Sequence, residues 1–385
     1  MQKTGRRRYD TGHPELDARI EGLLEAARVR FGEPAVHDVA REILVSALRL
    51  AGDRTARGDL KLVNRALKEL RRAFRVFAPY EHIRKVAVFG SARTPPAHAA
   101  WKQAHDFSDR ICSHSWMVIT GAGHGVMGAA QGGAGRDRSF GVNIRLPFEQ
   151  RANEVIAGDT KLIKFRYFFT RKVMFVKQAH AVALFPGGFG THDEGFEALT
   201  LIQTGKSEIL PVVFVDEPGG GYWRDWLEYV RNHLVAHDYI DREDLDLLRI
   251  TDDVDAAVHE ILHFYSNYHS SRFVGSRLVL RLQRAPGPEL LDRLNADFCD
   301  ILTEGTIEAS DPLPEEGGDA PDLARVVLAF NRRDHGRLRR LIDLLNEGPP
   351  EREPAGTRAS PHEILEEEVG EDEWEEDRED YESSR

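Results

Sequence analysis

At 385 residues and 41% hydrophobic content, the chain is long enough for more than one domain and for a sizeable buried core. Its net charge of -12 is concentrated, because residues 349–385 hold 15 Asp and Glu against 4 Arg, and the nearly neutral remainder argues against a nucleic-acid-binding body. Cys112 and Cys299 match neither a disulfide framework nor a metal spacing, and no apolar run approaches the roughly 20 residues of a membrane span, so a cytoplasmic protein without targeting or membrane segment is expected.

The first predicted elements are helices. "ELDARIEGLLEAARVRF" and "LVNRALKELRRAFRVF" repeat apolar residues at three and four, giving a helical extension over residues 1–82. From there to residue 268 the pattern changes to short apolar runs separated by amphipathic stretches. "KVAVFG", "WMVITGAG", "SFGVNI", "AVALFPGG" and "ILPVVFVD" predict buried strands, and continuous apolar strands between helices imply a parallel sheet covered on both faces. The fold class is therefore α/β, a Rossmann-like doubly wound sheet, whose ligands sit beyond the carboxyl ends of the strands. Residues 269–348 alternate strand, helix, strand, strand and helix as a small α+β unit. Residues 349–385 read as a disordered acidic tail, a solubilising extension in preference to an interaction arm.

Candidate site residues follow the strand ends. Gly90 and Ser91, with Arg93 beyond, form a turn that either lets backbone N–H groups meet an anion or is simply a common Gly-Ser turn. "TGAGHGVMG" supplies Gly121, Gly123, Gly125 and Met127 at the start of a helix. Its spacing is not GxGxxG counted from Gly121, and no ribose-binding acid follows about 20 residues on, which disfavours NAD; tight helix-on-strand packing is the alternative use of these glycines. "TGKSE" at 204–208 is not a Walker loop, since Thr200 stands where its first glycine is required. The pair Arg171 and Lys172 opens a helix that leads into "AVALFPGG", so it lies on the same sheet edge; an Arg-Lys pair is otherwise ordinary surface. Phe165, Tyr167, Phe168 and Phe169 just before it are expected in the core in preference to a base pocket.

The strongest stretch is "FPGGFGTHDE". Pro186, Gly187 and Gly188 end a strand, Gly190 allows close approach, and Thr191 is expected as the N-cap of a helix whose dipole favours phosphate. Glu194 then has two readings: a carboxylate near the sugar of a bound nucleotide, or the acid of a capping box reaching back to Thr191.

Together, "FGSAR", "GAGHGVMG", the pair "RK" and "PGGFGTHDE" closely resemble the LOG (Lonely Guy) family of nucleoside 5'-monophosphate phosphoribohydrolases, a group long mislabelled as lysine decarboxylases. The resemblance covers less than half of the chain. It implies a Rossmann-like fold, a homodimer or higher homo-oligomer, no required cofactor, and release of free base and ribose 5-phosphate from a nucleoside monophosphate. It also implies that Arg171 and Glu194 are the catalytic pair, that Gly187, Gly188, Gly190 and Thr191 form the phosphate loop, and that Thr200 is a further site threonine. The helical extension, the α+β unit and the acidic tail depart from compact family members, which leaves cytokinin nucleotides and ordinary monophosphates both open as substrates. Decarboxylation needs a Schiff-base lysine and a pyridoxal phosphate site, and no convincing pair is present. A nucleotide sensor or carrier without turnover is the competing expectation, weakened by the retention of both Arg171 and Glu194.

Overall fold

The computed structural model describes residues 9–31, 37–146 and 151–347, and the expected acidic tail at 349–385 lies outside them. The chain divides into two compact units between Arg71 and Arg72. In the first unit, α1 (Pro14–Phe31) and α2 (His37–Gly52) close a small core of Ile20, Leu24 and Val45. Arg41, buried between them, donates to Glu21 at 2.8 Å and to Asp17 at 3.2 Å. The next helix, α3 (Arg57–Phe77), runs across the division.

The second unit is built on a seven-stranded sheet. In chain order it contains β1 (Lys85–Phe89), α4 (Ala99–Ser113), β2 (Met117–Thr120), α5 (Val126–Ala134), β3 (Ser139–Ile144), β4 (Leu162–Phe165), α6 (Phe168–Gln178), β5 (Ala181–Leu184), α7 (Phe189–Gln203), β6 (Val212–Val215), α8 (Tyr222–Tyr229), β7 (Leu248–Thr251) and α9 (Val254–Phe264). All pairings are parallel, in the order β4-β3-β2-β1-β5-β6-β7. The chain winds outward from β1 to β4, then returns to place β5 on the other side of β1. That reversal makes β1 and β5 the topological switch point, from which α4 follows on one face of the sheet and α7 on the other, the place where such folds bind ligands. Val86, Val88, Ala181, Ala183, Val213 and Val215 point to one face, under α4, α5 and α9. Ala87, Phe89 and Val182 point to the other, under α6 and α7. Five of the seven strands coincide with the apolar runs of the sequence; β4 and β7, the four-residue edge strands, are the ones those runs do not announce.

Beyond α9 lie β8 (Tyr268–Val274), β9 (Arg277–Leu282), α10 (Pro288–Asp297), β10 (Glu308–Ser310), β11 (Ala324–Leu328) and α11 (His335–Asn346). They form an antiparallel sheet in the order β10-β11-β9-β8. The extra strand is β8, whose mixed sequence "YHSSRFV" hides its pairing with β9. Arg339 on α11 reaches Glu260 on α9 and Asp343 on its own helix, tying this sheet's helix to the parallel one. Gly336 is obligatory there, because a Cβ would stand 1.8 Å from the Glu243 carbonyl oxygen. Among the described residues no helix is long and apolar enough to cross a membrane.

Candidate active site

Three glycine-bearing loops meet at the carboxyl edge of the sheet. After β1, Ser91 donates its N–H to the Pro186 carbonyl at 3.1 Å, and its own carbonyl accepts from Val126 N at 3.0 Å. Ser91 thereby stitches the loop after β5 to the first residue of α5. Gly125 has φ 63°, and a Cβ on it would lie 2.3 Å from the Ser91 carbonyl oxygen. A Cβ on Gly187 would lie 2.1 Å from Thr191 Oγ1 and 2.9 Å from Ser91 N. Glycine is thus a packing requirement at both positions.

The loop at 121–125 is held from behind. Asn143 donates to the Gly121 carbonyl at 3.0 Å, and Asn153 donates to the Gly123 carbonyl at 2.9 Å and to Gln131 at 2.6 Å. Met127 covers Gly121 and Gly123, with its sulfur and methyl 2.9 and 2.7 Å from where their Cβ atoms would be. Met127 therefore packs on the loop's own glycines.

Helix α7 starts at the end of the third loop, with Gly188 as N-cap and no side-chain cap. Thr191 is therefore the third helical residue and not the N-cap, and it is buried under Gly187. The capping-box role for Glu194 falls with that assignment, since Glu194 lies within the helix one turn beyond Thr191. Among the described residues the N–H groups of Gly188, Phe189 and Gly190 have no partner, as expected of an open helix start that favours an anion.

Glu194 is 8% exposed and borders a small cavity lined by Phe89, Phe175, Ala198 and Leu201. Burial raises its pKa above the ordinary glutamate value, while Arg171 and Lys172 pull the other way. The nearer cation is Lys172, whose ammonium stands 3.7 Å from the Glu194 carboxylate and 2.9 Å from Asp193, and also bonds Glu197. Burial opposes the charge of Lys172, but the hydrogen bonds to Glu197 and Asp193 hold its pKa above the usual value. Arg171 makes no ion pair with Glu194. Its Nε donates to the Val142 carbonyl at 3.0 Å, and one of its terminal nitrogens lies 3.0 Å from where a Cβ of Gly121 would be. Burial lowers its pKa, offset by the charges of Glu194 and Asp193. The guanidinium is thus held over the second glycine loop, and Lys172 over α7.

The structure brings together Gly90, Ser91, Gly121, Gly123, Gly125, Met127, Arg171, Lys172, Pro186, Gly187, Gly188, Gly190, Thr191 and Glu194. Thr200 is not brought to this edge: it is exposed, and nine residues of helix set it about 13 Å along the axis from Thr191. Phe168 and Phe169 correct the expectation that they fill the core, being 51% and 48% exposed; only Phe165 is fully buried in that stretch. They occupy the first turn of α6, beyond the end of the strands, where no sheet lies beneath them. Asp193, Glu197, Asn143 and Asn153 also contact these loops and Lys172 without a motif of their own. The first two carry a signal, since their spacing of four puts both on the face of α7 that meets Lys172.

Residues 125–261 match the family model described as "Possible lysine decarboxylase". The cytokinin riboside 5'-monophosphate phosphoribohydrolase of Mycobacterium tuberculosis (strain ATCC 25618 / H37Rv) is 29% identical over 184 residues, 45% of this chain and 90% of that protein. Among solved structures, a structural-genomics target is 20% identical with a TM-score of 0.35, covering 47% of this chain and 99% of that one. The molybdenum cofactor carrier protein of Chlamydomonas reinhardtii is 20% identical with a TM-score of 0.32, covering 47% and 98%. The resemblance to LOG-type proteins thus holds for the parallel-sheet region.

Proposed function

We propose that the parallel-sheet region hydrolyses the N-glycosidic bond of nucleoside 5'-monophosphates, AMP-like or cytokinin-like, to free base and ribose 5-phosphate. The observation that carries this is the position of Glu194: a buried carboxylate one helical turn past an amide-lined helix start, with two cations within its field. A 5'-phosphate on the amides of residues 188–190 places the ribose further along the edge, toward Glu194. There the carboxylate orients the attacking water and balances the positive charge of an oxocarbenium-like ribosyl centre. Burial, by raising its pKa, makes it a stronger proton acceptor than an exposed carboxylate. Arg171, held over Gly121, serves the ribose hydroxyls or the base, and phosphate binding energy positions the sugar. The similarity to a protein named as a phosphoribohydrolase supports the same reaction class.

Lysine chemistry points away from a decarboxylase. A Schiff-base lysine must offer a free amine to its partner, whereas the Lys172 ammonium is engaged by Asp193 and Glu197. Lys85, lowered to about 8 by burial, starts β1 and so sits at the opposite edge of the sheet, bound to the Tyr80 and Ile83 carbonyls. A homodimer is part of the proposal: Phe168, Phe169, Val173 and Phe189 leave large apolar side chains exposed around the site, Phe189 at 95%.

The test is incubation with a panel of nucleoside monophosphates, following free base by chromatography. Release of base by the wild type and its loss in Glu194→Ala and Arg171→Ala, with folding verified, is the expected result. Binding without release would mark a carrier instead, and wild-type rates in both variants would remove the pair from the mechanism.

A further inference from the structure

The loop that opens α7 is locked one peptide at a time. The Pro186 carbonyl accepts from Ser91 N at 3.1 Å, and the Gly188 carbonyl accepts from Thr191 N at 3.0 Å and His192 N at 3.2 Å. Between them, the Gly187 carbonyl accepts from the Tyr222 hydroxyl at 2.5 Å. Tyr222 is the first residue of α8, more than thirty positions along the chain, and its oxygen lies 2.7 Å from His192 Nε2. Since the Tyr222 proton is committed to Gly187, its oxygen accepts from His192, which sets the imidazole as the Nε2–H tautomer. Burial lowers the pKa of His192, in keeping with a neutral ring.

We propose that Tyr222, oriented by His192, is a positioning residue for the phosphate end of the substrate. The physical reason lies in the peptide itself. In a planar trans peptide the carbonyl of Gly187 and the N–H of Gly188 are opposite edges of one rigid plate. Fixing the carbonyl toward Tyr222 fixes the Gly188 N–H on the opposite side of the plate, one residue ahead of the unpartnered amides of Phe189 and Gly190. A Gly-Gly plate needs such a lock more than any other, because glycine on both sides leaves it free to flip. Gly187 cannot acquire a side chain to lock itself, given the 2.1 Å clash with Thr191. The Tyr222 ring, 39% exposed, lies edge-on to the buried Trp223 that follows it, with centroids 4.7 Å apart.

This inference rests on the phosphate assignment above, so the experiment separates the two. Tyr222→Phe keeps the ring and removes the hydroxyl. The expected result is a KM for AMP raised about tenfold with kcat within about twofold, and ribose 5-phosphate binding weakened by a similar factor. Affinity for adenosine, which has no phosphate, stays at the wild-type value. His192→Gln, which keeps an N–H donor, lies close to the wild type, while His192→Leu shifts in the direction of Tyr222→Phe. Backbone 15N order parameters of residues 187–190 in the ligand-free protein fall in Tyr222→Phe. Unchanged order parameters, or equal losses for AMP and adenosine, overturn the strap. Wild-type protein that ignores AMP and ribose 5-phosphate while the order parameters still respond to Tyr222→Phe overturns the phosphate assignment and leaves the strap standing.

Discussion

The two sheets of the second unit each bury a glutamate against basic residues, and they do so to opposite ends. Glu316, in the loop between β10 and β11, is 4% exposed and accepts from Arg281 at 2.7 and 2.9 Å, from Arg325 at 3.1 Å and from Leu313 N at 3.0 Å. Burial opposes its charge, yet the Arg281, Leu313 and Arg325 bonds hold its pKa down at about 2. Glu194, 8% exposed, accepts no hydrogen bond among the described residues and has a single ammonium at 3.7 Å, so burial wins and its pKa rises. Burial alone therefore does not make a reactive carboxylate. Saturation of its lone pairs decides whether it clamps a loop or stays available to a substrate.

The contrast is open to direct attack. Glu194→Gln is expected to lower kcat for base release by about 10²–10⁴-fold, the usual share of a general base, without lowering the melting temperature. Its removal deletes a buried carboxylate that the fold does not satisfy. Glu316→Gln inverts that pattern. It leaves Arg325, which is fully buried, without its carboxylate, and denaturant unfolding is expected to show a loss of about 3–5 kcal/mol while folded protein keeps its turnover.

A smaller effect separates the two cations of the candidate site. Lys172→Met removes charge that lowers the Glu194 pKa, so the acid limb of the kcat/KM profile moves to higher pH, with a modest loss at neutral pH. An unmoved limb would show that Glu194 is not the group titrating. The smallest effect is the pH dependence of the clamp. The folded pKa of Glu316, about 2, lies below the ordinary 4.5, so its stabilisation is complete above the ordinary value and is lost as pH falls toward 2. Protection factors of β9 and β11 amides, corrected for intrinsic exchange at each pH, are expected to fall across that window in the wild type, and to show no such step in Glu316→Gln.

Much of the geometry of the candidate edge was legible in the sequence because its signals are local. Apolar runs announce β1, β2, β3, β5 and β6, and glycines at their ends mark the loops that converge. Arg171, Lys172 and Glu194 are recognisable from motif spacing. Edge strands β4 and β7 escaped, since four residues with one polar face carry too little pattern, as did β8 with its mixed sequence. Thr191 was misplaced by three positions because a threonine before a helical run resembles an N-cap, whereas Gly188 takes that position with its backbone alone.

The order of polar and apolar residues by itself determined the α/β architecture and the sheet edge on which the glycine loops converge, because periodicity and glycine placement act over a few residues. Only the tertiary structure decided which cation Glu194 faces, which carbonyls are pinned and which glutamate is saturated. Those outcomes depend on groups such as Tyr222 with Gly187, or Arg281 with Glu316, separated by 35 positions in each case. No local pattern encodes such a meeting; the packing of α8 beside α7, and of the loop after β10 on the antiparallel sheet, creates it.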